Sequence, residues 1–307
     1  MNIGFMGRSK LLYEVISEVV SISGHTPAFI WTSKAEAFYE CDERMFEELA
    51  KAYGCQFHLG PRVGPLTDEI NFESVDVILS ANFVNIIPDS FLNSVKHGVL
   101  NVHAGDLPRY QGNACPNWAI LNRESEIALT VHQMSEQLDS GPIYAQSRLQ
   151  LHDDTYITDV YKWLEAATPG LFIQALDMIK IGTYPTPMRE GRPLRTFPRK
   201  PEDARLDWSS GIESAYCMIR ASSHPFDGAF CFLNGDLEQK VTVFRAEPVE
   251  LDVDICAIDG QIIEVRGQSI VISIGNRGLL LTEYTLNRAS QRESLDKISS
   301  SMRNRLV

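Results

Sequence analysis

An amide and an imidazole two residues apart, Asn101 and His103, stand at the end of the apolar run Gly98-Val-Leu-Asn-Val-His103. Strand side chains alternate between faces, so Val99, Asn101 and His103 share one side and Leu100 and Val102 the other. An amide N–H can stabilise a developing oxyanion, and imidazole moves a proton near neutral pH. The bland alternatives are an Asn that hydrogen-bonds the following turn and a His packed for structure. A third candidate, Asp139, sits in Leu138-Asp-Ser-Gly-Pro142 between two apolar runs, where a carboxylate has no packing role and an Asx-turn is its alternative use. A carboxylate beside His103 would orient the ring and favour its protonated form. No nucleophile accompanies them, because Cys115 lacks a nucleophile-elbow context and Gly-x-Ser-x-Gly does not occur. The set therefore fits acyl transfer without a covalent enzyme intermediate.

Gly105, Pro108 and Gly112 stop the strand and leave Asn101 and His103 at its carboxyl end, where open α/β sheets bind ligands. Residues 2–6 read as a first strand, and Leu11, Leu12, Val15, Ile16, Val19 and Val20 recur at helical spacing after it. Residues 27–31 read as a strand, 43–53 as a helix, and 75–80 as a buried strand. Strands alternating with helices imply a parallel sheet. A helix is expected around 116–122, then a hairpin of 127–134 and 143–151 with an exposed connecting loop. A long helix over 157–181 is expected to break near Pro169-Gly170.

Prolines and cations crowd residues 182–205. Beyond them, 212–221 reads as a helix, and 226–232, 240–246, 261–266, 269–274 and 278–285 as closely spaced strands of a small barrel. The expected organisation is an α/β protein. A Rossmann-like, parallel-sheet catalytic domain spans 1–188, a linker 189–205, and a smaller β-rich, OB-like domain 206–307.

The chain has 307 residues and a formal net charge of −12, which argues against a polyanionic partner, because nucleic-acid affinity rests on Lys and Arg neutralising phosphates. Hydrophobic residues at 44% and charged residues at 22% are ordinary for a globular chain and exclude wholesale disorder. The six cysteines form no CxxC pair and no metal-ligand spacing, so they read as reduced core thiols and no metal is expected. The opening residues lack the pattern of a secretory signal, and no run approaches the length of a membrane helix, so a cytoplasmic protein with no membrane association is expected.

Three segments carry a family resemblance: the run from Asn101 to Asn122, Thr130-Val-His-Gln-Met134, and Leu138-Asp-Ser-Gly-Pro-Ile143. They resemble the formyltransferases that use 10-formyltetrahydrofolate. Beyond the linker, Leu206-Asp-Trp-Ser209, Ile219-Arg-Ala221 and Pro225-Phe-Asp-Gly-Ala229 are similar to the start of that family's OB-like domain. The resemblance implies a catalytic triad of Asn101, His103 and Asp139, and direct attack of a substrate amine on the formyl carbon through a tetrahedral intermediate. It also implies a folate site along Phe83, Val84, Asn85, Ile86 and Ile87, contacted through backbone groups, with Asp139 on the opposite wall. The apolar side chains of that loop serve equally as core.

Gly105-Asp-Leu-Pro108 and Gly112-Asn-Ala-Cys-Pro-Asn-Trp118 are most similar to the sugar N-formyltransferases, which formylate nucleotide-linked amino sugars. That similarity implies a 4-amino-4,6-dideoxyhexose on the way to a surface polysaccharide, and Asp106 is the residue on which that choice of acceptor leans most. For the nucleotide, Arg8, Ser9 and Lys10 occupy the first strand-to-helix turn, where a diphosphate could be held, or where a basic turn is simply solvated. Gly4 and Gly7 do not complete a dinucleotide fingerprint. Arg109, Tyr110 and Asn113 could face the sugar or phosphates. His132 is expected on a hairpin strand in a structural role. Methionyl-tRNA formylation and a non-catalytic folate- or nucleotide-binding module are the alternative functions, and whether the chain forms a homodimer is left open.

Overall fold

The ends of three neighbouring parallel strands, β1 (Asn2–Gly7), β4 (Val77–Ala81) and β5 (Val99–His103), create the ground on which the candidate residues stand. The computed structural model describes residues 1–36, 39–60, 70–83, 85, 87–188, 191–301 and 303–307. Between β1 and β4 come α1 (Ser9–Ser23), β2 (Thr26–Thr32), α2 (Glu43–Tyr53) and β3 (Gln56–Leu59). After β4 and the short α3 (Asp89–Leu92), β5 leads to β6 (Tyr110–Gly112), α4 (Cys115–Leu121), β7 (Glu126–Gln133), β8 (Ile143–Gln150) and α5 (Ile157–Lys180). The sheet runs β3-β2-β1-β4-β5-β7-β8. Its first five members are parallel, and β7 and β8 add an antiparallel hairpin. The chain order reverses between β1 and β4, so the crevice outside their carboxyl ends is the place such a sheet offers to ligands.

Local chemistry accounts for the elements the pattern anticipated. Asp42 caps α2 by accepting from the backbone N–H groups of Arg44 and Met45, and Gly54 ends it in the left-handed conformation. At the end of β1, Gly7 has φ +140°, and a Cβ there would overlap the Ala81 carbonyl at 1.8 Å. One face of the sheet packs on Trp31, Phe29, Ile78, Phe91 and Val99, all buried. The long helix is a correction. It does not break at Pro169 but runs from Ile157 to Lys180 through it. Proline costs the helix one N–H donor, but Leu164, Thr168, Leu171, Phe172, Ala175 and Leu176 are buried on either side and hold it together.

The chain divides into two compact units: Met1–Cys115, Glu126–Gln150 and Tyr161–Phe197; and Pro116–Ser125, Leu151–Val160 and Pro198–Val307. Within the stretch read as a linker, Leu194–Thr196 is a strand, β9, paired in parallel with β6. The second unit holds α6 (Ile212–Ser222), β10 (Ala229–Phe232), β11 (Lys240–Val249), β12 (Ile262–Arg266), β13 (Ser269–Ile274), β14 (Arg277–Leu286) and α7 (Gln291–Ile298). Its antiparallel sheet runs β10-β11-β14-β13-β12. Both edges bond to the same tail: Phe232 and Val307 exchange backbone hydrogen bonds at 2.8 Å, and Leu306 N donates to Gly260 O at 2.8 Å. Apolar periodicity did not anticipate α7, although Ser290 and Glu293 form a capping box there.

Among the described residues, no helix is long and apolar enough to cross a membrane, and no cluster of His, Cys, Asp or Glu could hold a metal ion. All six cysteines are free. Cys41, Cys115, Cys217 and Cys231 are buried, but Cys55 is half-buried and Cys256 exposed, which corrects the reading of all six as core thiols.

Candidate active site

His103 is the last residue of β5, and its ring is held on both nitrogens. Nε2 lies 2.8 Å from the Tyr110 carbonyl and 3.6 Å from Cys115 Sγ. Nδ1 lies 3.6 Å from Asp139 Oδ2, and both residues are only 8% exposed. The hairpin tip was expected to be exposed. Leu138 is, but Asp139 turns inward at φ +50° and accepts a hydrogen bond from Gly112 N at 2.9 Å. Its burial follows from these partners, since a carboxylate leaves water only where donors replace it. Cys115 in turn lies 3.2 Å from Thr196 Oγ1 on β9. Gly105 makes room for the arrangement, because a Cβ there would stand 2.4 Å from His103 Nε2 and 2.6 Å from the Tyr110 carbonyl.

Asn101 stands opposite His132 in the antiparallel β5–β7 ladder, and its Nδ2 lies 3.4 Å from His132 Nε2. His132 Nδ1 is 3.0 Å from the Gln133 carbonyl. These partners assign the tautomer: Nδ1–H donates to the carbonyl, and Nε2 accepts one of the two amide protons of Asn101. Asp139 Oδ1 is 3.7 Å from the same Nε2, so the carboxylate sits between two imidazoles.

The two rings are driven apart in protonation. Burial works to discharge His103, but the Cys115 sulfur, the Asp139 charge and the Tyr110 carbonyl outweigh it and raise its pKa to about 9. Burial and then the charge on His103 lower His132 to about 4, against the pull of Asp139. Near neutral pH the site holds an imidazolium, a carboxylate and a neutral imidazole, the separation of roles that acid–base sites use. A carbonyl oxygen placed here would meet a second Asn101 proton and the positive field of His103.

The remaining candidates have other partners. Asp106 pairs with Arg148 at 2.7 Å, and Arg148 also engages Glu126 and, at 2.9 Å, Gln146 Oε1. Thr130 Oγ1 donates to the Gly105 carbonyl at 2.9 Å, and Gln146 Nε2 donates to Thr130 Oγ1 at 2.9 Å. Asp106 therefore belongs to a strut between the loop after His103 and the β7–β8 hairpin. Arg109 lies 5.0 Å over the Tyr110 ring, while Tyr110 itself is buried and offers its carbonyl rather than its phenol to His103. Asn113 is exposed, with its backbone N–H on the Thr196 carbonyl.

At the end of β1, Arg8 pairs with Glu36 at 3.1 Å and lies over Tyr39, and Lys10 reaches Glu40 at 3.1 Å and Glu165 at 3.6 Å. Ser9 opens α1 at φ +69°. Both cations of this turn, offered for a diphosphate or as a solvated basic turn, thus have carboxylate partners. After β4, Ile87 is buried in the core and Phe83 packs against it, edge-on to Trp31. Asn85 is exposed, and Val84 and Ile86 lie outside the described residues. His132, expected in a structural role, holds the Asn101 amide. Its signal was available: Thr130 and His132 alternate as polar residues on one face of a strand, the pattern that singled out Asn101 and His103.

Solved structures share this architecture. The chain is similar to HypX from Aquifex aeolicus in complex with tetrahydrofolic acid, at 19% identity and a TM-score of 0.63, over 92% of this chain but 44% of that one. The chain thus spans less than half of HypX. It is also similar to an N-formyltransferase from Helicobacter canadensis in complex with folinic acid and dTDP-3-aminofucose, at 14% identity and a TM-score of 0.65, over 92% of this chain and 99% of that one. A sugar N-formyltransferase from a Shewanella species matches at 19% identity and a TM-score of 0.58, over 75% and 92% of the two chains. At these identities the likeness is one of fold. The sequence itself matches the family description "Formyl transferase" over residues 46–176 and "Formyl transferase, C-terminal domain" over 199–295. With both halves of the family's architecture accounted for in order along one polypeptide, the chain belongs to the formyl transferase family.

Proposed function

We propose that this formyl transferase moves the formyl group of 10-formyltetrahydrofolate onto the amine of a nucleotide-linked amino sugar. The observation that carries this reading is the convergence of Asn101, His103 and Asp139 at one buried strand end with no nucleophile required. Neighbours of the same fold in complex with tetrahydrofolic acid, or with folinic acid and dTDP-3-aminofucose, support the choice of donor and acceptor. The net charge of −12 favours a small acceptor over a polynucleotide.

The residues fit such a donor, because two groups of positive character face the position of a carbonyl oxygen. When bound, the folate supplies the formyl carbon that the amine attacks. Asn101 gives its second Nδ2 proton to the oxygen as negative charge develops there, while His132 holds the amide in place. His103, charged and anchored on Tyr110, adds its field at the same point. Asp139 keeps the proton of His103 on Nδ1 and lies where the proton shed by the attacking amine can be taken up and returned to the departing nitrogen. The proton count is unchanged over the cycle, and no metal is invoked. Arg8, Ser9 and Lys10 remain the candidates for the diphosphate, which would compete with Glu36, Glu40 and Glu165 for their charges.

The deciding experiment incubates the protein with 10-formyltetrahydrofolate and a panel of nucleotide-linked amino sugars and follows mass. Gain of one formyl group on a sugar amine is expected. Formylation of initiator methionyl-tRNA with no sugar product would overturn the assignment of acceptor.

A further inference from the structure

The second compact unit contains a cavity of about 330 Å³ in which none of the residues around His103 takes part. One face of α6 lines it with Glu213, Tyr216, Cys217 and Arg220, spaced as neighbours along a helix. Arg220 is only 6% exposed. Its Nη1 donates to the carbonyls of Thr155 at 2.9 Å and His152 at 3.3 Å, its Nη2 to Cys217 Sγ at 3.3 Å, and its Cζ lies 4.9 Å over the Tyr216 ring. Nε is buried with no acceptor among the described residues. No carboxylate among them lies within ion-pair distance.

A guanidinium does not deprotonate, and a buried charge is normally balanced by an opposite one. Carbonyl dipoles and a ring satisfy the direction of its bonds but leave its charge. Arg123, on the same cavity, has Ser214 Oγ at 3.2 Å and no carboxylate of the described residues within ion-pair distance, although its charge adds to that of Arg277 at Glu213. Arg277 differs, because Glu213 is paired with it and its carboxyl is held below the usual range by that contact.

We propose that this cavity is a binding site for a small organic dianion, a phosphate monoester or a dicarboxylate, held between Arg220 and Arg123. Guanidinium groups grip both anions through parallel N–H bonds. Ile120 and Leu151 supply an apolar wall for the carbon skeleton. Glu124 and Asp153 also border the cavity, which disfavours polyanions. The volume lies at the small end of ligand pockets.

The test is calorimetric titration of the full chain with glucose 6-phosphate, malate, inorganic phosphate and glucose. One organic dianion is expected to bind one per chain with a Kd below about 1 mM, and glucose not to bind. Arg123→Gln should weaken that binding about ten-fold or more, and His103→Asn should leave it unchanged. Arg220→Met should abolish it. If that variant fails to fold, the rim variant Arg123→Gln decides. Absence of binding by both organic dianions, an unchanged affinity in Arg123→Gln, or inorganic phosphate binding as tightly as either overturns the proposal.

Discussion

Asn101 and His132 face one another across an antiparallel ladder, with the amide nitrogen of one 3.4 Å from the ring nitrogen of the other. The contact makes His132 the residue that orients the amide. Asn101→Ala should lower kcat by about 10²- to 10³-fold, the usual cost of one oxyanion donor. His132→Phe should lower it in the same direction, and the double variant should lose less than the product of the two, because both remove one interaction. Steady-state kinetics on the four proteins checks this, and multiplicative losses would separate the residues.

His103 acts in its charged form. Activity should therefore fall as pH rises through about 9, where the imidazolium is lost. Asp139→Asn removes one of the groups that raise that value, so the alkaline limb of the pH–rate profile should move to lower pH. An unmoved limb would detach Asp139 from the titration of His103. His103→Ala should abolish product while far-ultraviolet circular dichroism remains that of a folded protein.

The same two rings bear on stability with opposite signs. The raised His103 binds its proton more tightly when folded, so its stabilising contribution is whole below about 6.5 and lost as pH climbs toward about 9. The lowered His132 binds its proton less tightly when folded, so it costs stability as pH falls from about 6.5 toward about 4. Urea denaturation across this range should show the alkaline decline shrink in His103→Asn and the acidic decline shrink in His132→Gln.

Asp106 and Arg148 form a half-exposed strut, so breaking it should cost about 0–1 kcal/mol of stability. Asp106→Ala should lower turnover by loosening the loop after His103, while the ranking of acceptor sugars stays the same. A changed ranking would restore Asp106 as a contact to the acceptor.

Gly105→Ala should cost far more than its size implies. The added methyl falls at 2.4 Å from His103 Nε2 and must displace the ring or the Tyr110 carbonyl. Turnover should fall steeply, and the alkaline limb of the pH–rate profile should shift with it as His103 loses an acceptor.

By itself the sequence determined most of the elements, though not β3, α3, β6, β9 or α7. Helix α2 was legible because its cap residues and apolar spacing act within one turn, and β5 because period-two alternation sets Asn101 and His103 on one face. The hairpin of β7 and β8 followed from two apolar runs about a polar loop. The candidate triad, too, was legible as residue types in a pattern. What only the tertiary structure decided was the state of those residues. It turned Asp139 inward, set His132 against Asn101, tied Asp106 to Arg148, and paired Arg8 and Lys10 with carboxylates. It also carried α5 through Pro169. Each of these depends on burial and on partners distant in the chain, which change the free energy of a charge or a helix without leaving a period in the sequence. The strand end with Asn101 and His103 was thus written locally, while its protonation was settled by Tyr110, Cys115 and Asp139 folding around it.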